Sequence, residues 1–290
     1  MNDQKRAYIY AGLAIFFWST VATAFKIGLR YLNPQLLVMY ASITSFLLML
    51  AVVISQNKLK VLMNYSVRDY SSSLILGLLN PFLYYLILFK AYSLLPAQVA
   101  QPLNMIWPIV LVFLSGPFLG QKIGLRSYIA LSISFVGVMF ISSQGAFFGF
   151  KNSNTLGLIL AVGSSLIWSF FFIFNVRDKR DVELKLLLNF FFASLFIVGL
   201  NLATGNFEVP ELKGLLAAIY IGFFEMGFTF LFWLKALKYS KSSDLISNLV
   251  YLAPFLSLVF IHYILGESIF ATTFVGLILI VTGILYQKIR

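Results

Sequence analysis

A single carboxylate lies in the middle of a long apolar segment. Glu225 occurs in the sequence IGFFEMGFTF, close to the centre of the hydrophobic segment 213–238. A charged side chain at the centre of a bilayer costs roughly 2.5–3.5 kcal/mol even on a lenient insertion scale. We therefore expect Glu225 to face the protein interior. Three roles are open for it: binding a substrate amine, carrying a proton for antiport, or staying protonated as a structural hydrogen-bond donor.

A row of polar residues interrupts a second apolar segment, 96–119. The row repeats every three residues, which keeps it near one helix face, and it ends at a proline, which removes a helical hydrogen bond one turn back. It predicts a cavity wall with amide groups, an indole ring and a broken backbone. The alternative is polar contact between helices with an ordinary proline kink. The row consists of Gln98, Gln101, Asn104, Trp107 and Pro108.

The composition is that of an integral membrane protein. Of the 290 residues, 60% are hydrophobic and 11% are charged, and the mean hydropathy is +0.92. An ordinary soluble domain carries about 25% charged residues. The chain has no cysteine, which excludes disulfides and thiolate chemistry. The single histidine, His262, disfavours a histidine-based metal site, so we expect no cofactor.

The elements that must position the polar residues are membrane-spanning helices. A transmembrane helix needs about 20 apolar residues, and the long apolar runs of this chain differ from the alternating segments of about ten residues that a β-barrel requires. We therefore predict an all-α polytopic membrane protein with ten transmembrane helices. The predicted segments are 8–29, 35–54, 71–93, 96–119, 127–144, 155–176, 185–204, 213–238, 243–265 and 269–287.

The basic residues predict the orientation of the chain. If it crosses ten times from a cytoplasmic N-terminus, 16 of its 21 Lys and Arg residues lie at cytoplasmic ends. This bias predicts that both termini are cytoplasmic, in the inner (plasma) membrane of the cell. The net charge of +11 is then a basic rim and not a nucleic-acid-binding patch. Among charges near segment ends, we expect Lys26 to reach the lipid headgroups and Glu267 to close a loop or a helix end.

The two halves of the chain resemble each other. The Trp-Ser pair at Trp18 recurs at Trp168, and Pro108 recurs as Pro254. Because each half holds five spans, an odd number, the second half would enter the membrane from the opposite side. Such an inverted 5+5 repeat is typical of secondary transporters, whose sites lie near the bilayer midplane. No GxxxxGK[ST] motif for ATP hydrolysis occurs. The two predicted units are 1–150 and 151–290.

The motifs also resemble a known family. LAIFFWSTV, LNMIWPIVLVFLSGPFLGQK and the LGE that ends the ninth segment resemble the drug/metabolite transporter superfamily of the EamA type. The first two sequences are similar to its aromatic amino-acid exporter branch, whose fourth helix carries an Asn-x-x-Trp-Pro element. The resemblance implies a secondary transporter, not an enzyme, that exports small metabolites, with aromatic or other neutral amino acids as leading substrates. It also implies that the paired tryptophans line a central cavity.

The polar rows, the repeat and the resemblance together define the candidate residues. The segment 243–265 carries a second polar row that mirrors the first, and Asn80 stands at the position that matches Glu225. Packing between helices is the alternative for both tryptophans. The predicted substrate-binding residues are Trp18, Asn80, Tyr84, Gln101, Asn104, Trp107, Trp168, Glu225, Asn248 and Tyr251. The predicted helix breaks or gates are Pro81, Pro108 and Pro254, and Glu225 is the candidate for proton coupling.

Other functions are weighed against this prediction. A carrier of cationic drugs or choline-like amines would use Trp and Tyr as a cation–π cage. An intramembrane enzyme would need a dense catalytic cluster, and no such His/Asp cluster or nucleophile–base pair is visible in the sequence. A channel would need a ring of charges or a glycine-rich filter. The expected partners are a small-molecule substrate and the lipid bilayer, and the expected oligomeric state is a monomer.

Overall fold

The computed structural model describes residues 3–119, 124–146, 154–240, 249 and 252–288, and every regular element in these ranges is helical. The all-α prediction is therefore confirmed for the described residues. Two π-helical segments, Leu78–Leu83 and Ile221–Phe228, each join two α-helices. The α-helices are α1 (Asp3–Leu29), α2 (Pro34–Ser55), α3 (Leu59–Leu62), α4 (Val67–Gly77), α5 (Tyr84–Leu94), α6 (Ala97–Asn104), α7 (Trp107–Leu119), α8 (Leu125–Ser142), α9 (Thr155–Arg177), α10 (Val182–Thr204), α11 (Leu212–Tyr220), α12 (Thr229–Tyr239), α13 (Ala253–Leu265) and α14 (Ala271–Lys288).

Six helical stretches of the described residues are long and apolar enough to cross a membrane. Three further apolar helices, in α8, α13 and α14, are shorter. The fourth predicted segment is divided into α6 and α7, because the chain leaves the helix at 105–106, just before Pro108. The six stretches are Asp3–Leu29, Pro34–Ser55, Val67–Leu94, Thr155–Asn175, Val182–Thr204 and Leu212–Trp233.

Polar side chains set where several helices begin. Asn33 Oδ1 accepts a hydrogen bond from the backbone N–H of Leu36 at 3.0 Å at the start of α2. Asn154 does the same for Gly157 at 2.9 Å at the start of α9, and the carboxylate of Asp181 caps α10. Such caps satisfy N–H groups that have no partner inside the helix. The polar connections of the sequence therefore define the ends of the apolar helices.

Two of the long stretches are interrupted near their middle. In Val67–Leu94 the backbone of Asn80 is extended (φ −147, ψ 123), and its peptide bond to Pro81 is cis. In Leu212–Trp233 the π-helical segment contains Glu225. Both interruptions therefore place a polar side chain within an otherwise apolar stretch.

Helix packing buries one large apolar cluster and leaves other apolar side chains outside. α2 packs along α10, α5 along α9, and α1 contacts both α12 and α13. Large apolar residues such as Phe135 (61%), Ile159 (63%) and Leu195 (54%) are exposed on the outer surface. Lipid tails are as apolar as these side chains, so the exposed surface suits a bilayer.

The contact between α8 and α14 is made at glycines. A methyl group added to Gly276 would lie 2.5 Å from the carbonyl oxygen of Gly137, and one added to Gly137 would lie 2.6 Å from the carbonyl oxygen of Gly276. Both neighbours are backbone atoms, so a side chain at either position would push the helices apart. Small residues allow this close approach of helices in membranes.

Gly276→Ala is expected to destabilise the protein by about 1–3 kcal/mol, because overpacking a close contact forces the backbone to shift. The measurement is the midpoint of thermal unfolding in detergent. Gly163→Ala on α9 is the matched control, since nothing lies within 4 Å of the added methyl group and alanine favours a helix over glycine by about 1 kcal/mol. Equal midpoints for the two variants would contradict the role of the α8–α14 contact.

Candidate functional site

Glu225 meets a tyrosine from the other half of the chain. Tyr85 Oη donates a hydrogen bond to Glu225 Oε1 at 3.0 Å. The other carboxyl oxygen, Oε2, is buried and has no hydrogen-bond partner among the described residues, and none of their ion pairs includes Glu225. A buried carboxylate without a cation is costly. The carboxyl group is thus positioned to hold a proton or to pair with an incoming cation.

Asn104 links two helices next to this tyrosine. Tyr84 Oη donates to Asn104 Oδ1 at 3.1 Å, and Asn104 Nδ2 donates to Ser164 Oγ at 2.8 Å. The adjacent rings of Tyr84 and Tyr85 are 4.7 Å apart in an edge-to-face arrangement. The last residue of α6 is therefore joined to α5 and α9, and both tyrosines bring polar groups to the same region.

Aromatic rings surround these hydrogen bonds. The Trp168 ring lies 4.9 Å from that of Tyr84 and 6.4 Å from that of Trp107. Ser169 Oγ donates at 3.0 Å to the carbonyl oxygen of Trp107, close to the break between α6 and α7. The structure thus brings four predicted site residues together in one group, which we name the central cluster. Its members are Tyr84, Asn104, Trp107 and Trp168.

Asn80 borders a small cavity beside the central cluster. The cavity measures about 10 Å³ and is also lined by Tyr85 and Phe171. Asn80 Oδ1 is buried and has no hydrogen-bond partner among the described residues. An amino acid is far larger than this cavity.

The structure places the remaining predicted residues elsewhere or does not describe them. Trp18 contacts Trp233 at 5.3 Å between the ring centroids, in the contact of α1 with α12. Gln101 accepts a hydrogen bond from Ser257 of α13, and Pro254 lies in the first turn of that helix. Asn248 and Tyr251 lie outside the described residues.

Lys26 closes one end of the bundle. Its Nζ donates to the carbonyl oxygens of Tyr92 at 2.9 Å and Leu95 at 3.0 Å. These carbonyls at the end of α5 have no partner within the helix. The expectation that Lys26 reaches the lipid headgroups is therefore wrong, because these carbonyls bind the ammonium group inside the protein.

Glu267 binds the other end of the connection between α5 and α6. Its carboxylate accepts hydrogen bonds from the N–H groups of Ala97 at 2.9 Å and Gln98 at 3.3 Å, at the start of α6. The Gln98 side chain donates to Ser268 O at 2.8 Å and accepts from Phe270 N at 2.9 Å. The expectation that Glu267 closes a helix end is confirmed, whereas Gln98 ties α6 to the α13–α14 connection instead of forming a cavity wall. We name Lys26, Gln98 and Glu267 the clamp.

A second set of hydrogen bonds lies at the same end of the bundle. Asn206 Nδ2 donates to Gln35 Oε1 at 2.8 Å, and Asn33 Nδ2 donates to Asn206 Oδ1 at 2.8 Å. These bonds join the start of α2 to the connection that follows α10. At the clamp end, hydrogen bonds therefore join the helices in two separate places.

The opposite end of the bundle carries a surface cavity. A cavity of about 820 Å³ lies between the start of α4 and the end of α9, and we name it the vestibule. Its charged lining residues are Arg68, Asp69, Arg177, Asp178, Lys179 and Arg180.

Arg180 organises one wall of the vestibule. Its Nε lies 2.9 Å and its Nη2 2.5 Å from the two oxygens of Asp178, and its Nη1 donates to Asp69 O at 2.6 Å. Burial raises the pKa of Asp178, but the hydrogen bonds from Arg180 outweigh it, so this pKa lies below its ordinary value. The ion pair is therefore present at neutral pH and is lost only as the pH falls through the lowered pKa.

Three polar residues with structural roles or buried side chains were not predicted from the sequence. Tyr85 and Ser164 are ordinary residues of apolar segments until their partners are known. Asn189 on α10 is 1% exposed, and neither polar atom of its side chain has a hydrogen-bond partner among the described residues. Asn189 could have been selected from the sequence, because an amide in the apolar run LLLNFFFASLF is the same kind of feature as Asn104.

These features define a multi-pass helical membrane protein with a polar and aromatic centre between a hydrogen-bonded end and an end that carries a surface cavity. The model of the EamA-like transporter family matches residues 5–143 and, again, residues 155–286. The chain belongs to the EamA-like transporter family and is a membrane transporter.

Curated relatives match over nearly the whole chain. An uncharacterized transporter, YvbV, of Bacillus subtilis (strain 168) is 22% identical, with 97% of this chain and 91% of the relative covered. Uncharacterized transporters of Clostridium kluyveri and Archaeoglobus fulgidus are each 24% identical, over 96% and 97% of this chain and 92% and 96% of the relatives. One solved crystal structure has a TM-score of 0.68 at 20% identity, covers 97% of this chain and 96% of that chain, and shows the shared fold alone.

Proposed function

We propose that this transporter is an alternating-access carrier that exports small organic metabolites, with neutral and aromatic amino acids as its leading substrates. The observation that carries the proposal is the central cluster, an amide and tyrosine hydroxyls among tryptophan rings, next to the carboxyl of Glu225. Aromatic rings suit an apolar or aromatic side chain. The amide and the carboxyl suit the charged ends of an amino acid.

The proposed architecture is ten spans in two inverted units, 1–150 and 151–290. The family model matches the chain twice, once in each unit. The two π-helical segments contain Asn80 and Glu225, the residues that the repeat pairs with each other. The α6–α7 pair and the three shorter apolar helices account for the four spans beyond the six long stretches. With both termini in the cytoplasm, the vestibule faces the cytoplasm of a cell whose plasma membrane holds the carrier.

The two ends of the bundle support alternating access. Val67–Leu94 starts at the vestibule and ends at the clamp, so one helical stretch connects the two ends of the bundle. The clamp depends on a few hydrogen bonds to charged groups, each worth about 1.5–3 kcal/mol. Bonds of this strength can break and re-form during a transport cycle. In this proposal, the clamp end opens in the other half of the transport cycle.

Purified protein in proteoliposomes tests the proposed function directly. We expect counterflow of labelled neutral or aromatic amino acids, with a rate that depends on an imposed pH gradient if Glu225 carries a proton. A panel of cationic amines is measured in parallel. Absence of flux or counterflow for every amino acid would overturn the proposal.

A carrier of cationic drugs or choline-like amines is the second candidate. The aromatic rings of the central cluster and the unpaired carboxyl of Glu225 would also suit a quaternary amine. The two candidates differ in competition. In an amino-acid carrier, excess phenylalanine strongly suppresses the uptake of a labelled amine, whereas excess choline suppresses the uptake of labelled phenylalanine far less. The reverse order favours the amine carrier.

Glu267→Ala is expected to open the clamp end, because it removes both hydrogen bonds to the start of α6. The chain has no cysteine, so a single Ala161→Cys, at a position that is fully buried on α9, reports access. We expect the additional Glu267→Ala change to raise the rate of thiol modification at least about tenfold, the equivalent of 1.4 kcal/mol.

Glu211→Ala is the matched control for this experiment. Glu211 is an exposed carboxylate at the same end of the bundle, just before α11, and its removal should leave the modification rate unchanged. Equal rates in the Glu267 and Glu211 variants would refute the assignment of the clamp as the closed gate.

A further inference from the structure

The vestibule carries more positive than negative charge. Four of its lining residues are cations and two are carboxylates. The carboxylate of Asp178 is engaged by Arg180, and that of Asp69 accepts hydrogen bonds from the N–H and hydroxyl of Ser66 at 2.8 and 2.6 Å. The charge of Asp178 is thus paired with Arg180, whereas Asp69 keeps its charge, and the lining residues carry a net charge of +2.

The cations are left facing the open space. Arg68 and Lys179 are exposed and form no ion pair among the described residues. Arg177 is also exposed and donates to the carbonyl oxygen of Phe118, which leaves its charge uncompensated. A concave surface lined by one sign of charge focuses the field and raises the local concentration of counter-ions by about 10–10³-fold.

Residues of the same two helical stretches line the vestibule and the small cavity at the centre. Leu76 and Phe174 line the vestibule, and Asn80 and Phe171 line the small cavity beside the central cluster. Asn80 follows Leu76 by four residues, and Phe171 precedes Phe174 by three on α9, which is about one helical turn. The vestibule and the small cavity therefore border neighbouring parts of the same two helical stretches.

We propose that the vestibule is a recruitment site for solutes that carry an anionic group, a carboxylate or a phosphate, and that it disfavours purely cationic solutes. The assignment of this site as the start of the transport path rests on the proposed function. Its charge selectivity does not, since it follows from the lining residues alone. Guanidinium groups such as Arg68 and Arg177 bind carboxylates and phosphates in a bidentate manner.

Thiol chemistry at one position tests the selectivity without any transport. Ser72 lines the vestibule and is exposed, and the chain has no other thiol. Ser72→Cys is placed in phosphatidylcholine nanodiscs and treated with methanethiosulfonate reagents that carry either a sulfonate or a trimethylammonium group. Each rate is divided by the rate of the same reagent with 2-mercaptoethanol.

We expect the anionic reagent to be favoured at least about fivefold over the cationic one after this normalisation. Adding Arg68→Gln or Lys179→Gln should each lower the preference about two- to threefold, because each removes one facing charge. Lys60→Gln is the matched control, since Lys60 is an exposed cation on the neighbouring α3 that does not line the vestibule; it should change the preference little.

Three results would overturn the proposal. The first is a normalised ratio near one, and the second is an equal effect of Lys60→Gln and Arg68→Gln. The third is a failure of both reagents to react, which would mean that the vestibule is not reached from water.

Lipid is the other source of an anionic group, and the nanodiscs distinguish it. If phosphatidylglycerol in the nanodisc abolishes the preference at Ser72→Cys and lowers it less at an exposed Lys60→Cys, which reports the surface potential alone, a lipid headgroup occupies the vestibule and the solute proposal fails. If the preference persists with phosphatidylglycerol, the site is free for solutes. Absent flux in proteoliposomes together with a persistent preference would overturn the proposed function and leave the anion selectivity standing.

Discussion

Glu225→Gln is expected to remove the dependence of transport on a pH gradient and to weaken transport of amino acids by about 10- to 100-fold, the equivalent of a lost charged hydrogen bond of 1.5–3 kcal/mol. Glutamine keeps the size of the side chain and still accepts a hydrogen bond from Tyr85, which lies 3.0 Å from Oε1. It can neither release a proton nor pair with an ammonium group. The measurement is counterflow and net flux in proteoliposomes at several pH values.

Three further variants separate the roles of Glu225. Glu225→Asp keeps the titrating group and should retain pH dependence, although its shorter side chain loses contact with Tyr85. Tyr85→Phe removes the hydrogen-bond donor and should preserve coupling. Glu211→Gln neutralises an exposed carboxylate before α11 and should change nothing. If Glu225→Gln transports like the parent protein at every pH, then Glu225 neither binds substrate nor couples protons and is a structural hydrogen-bond donor.

Asn104→Leu is expected to reduce transport by about 10- to 100-fold while membrane insertion stays intact. The change removes the bonds to Tyr84 and Ser164, and a buried polar group left without a partner costs about 1–3 kcal/mol. Insertion should not suffer, because leucine makes the segment more apolar. Expression, the elution profile of the purified protein and flux are measured side by side.

Variants that each change one contact divide this loss of transport into its parts. Tyr84→Phe removes one of the two hydrogen bonds of Asn104 and should give an intermediate loss. Trp107→Ala removes an aromatic wall of the central cluster and should also impair transport, whereas Trp18→Ala, in the contact with Trp233, should mainly lower the melting temperature. Full transport by Asn104→Leu would mean that the α5–α6–α9 contact is packing alone.

The membrane class and the helical fold were predictable because hydropathy and helix length are local properties. Runs of about 20 apolar residues can satisfy their backbone in lipid only as helices. The break between α6 and α7 was predictable for the same reason, since Pro108 cannot complete a helical hydrogen bond. Whether all ten predicted segments cross the bilayer stays a prediction, because three of the apolar helices are shorter than a span.

The contacts between helices were not predictable from the same pattern. In water, the apolar stripe of a helix shows which side is buried, but in lipid both sides are apolar. Nothing in the sequence therefore indicated that Tyr85 meets Glu225, 140 positions later, or that Trp18 faces Trp233 while Trp168 faces Tyr84.

The sequence by itself determined that this protein is a helical membrane protein with polar residues at mid-span, and its motifs already resembled the EamA type. Only the tertiary structure decided which of those residues share a site, because each hydrogen bond of Asn104 and Glu225 joins different helices. It also decided that Lys26 binds backbone carbonyls inside the protein. The charge of the vestibule likewise arises only where the start of α4 meets the end of α9, since a solute is attracted by charges that are close in space and not in sequence.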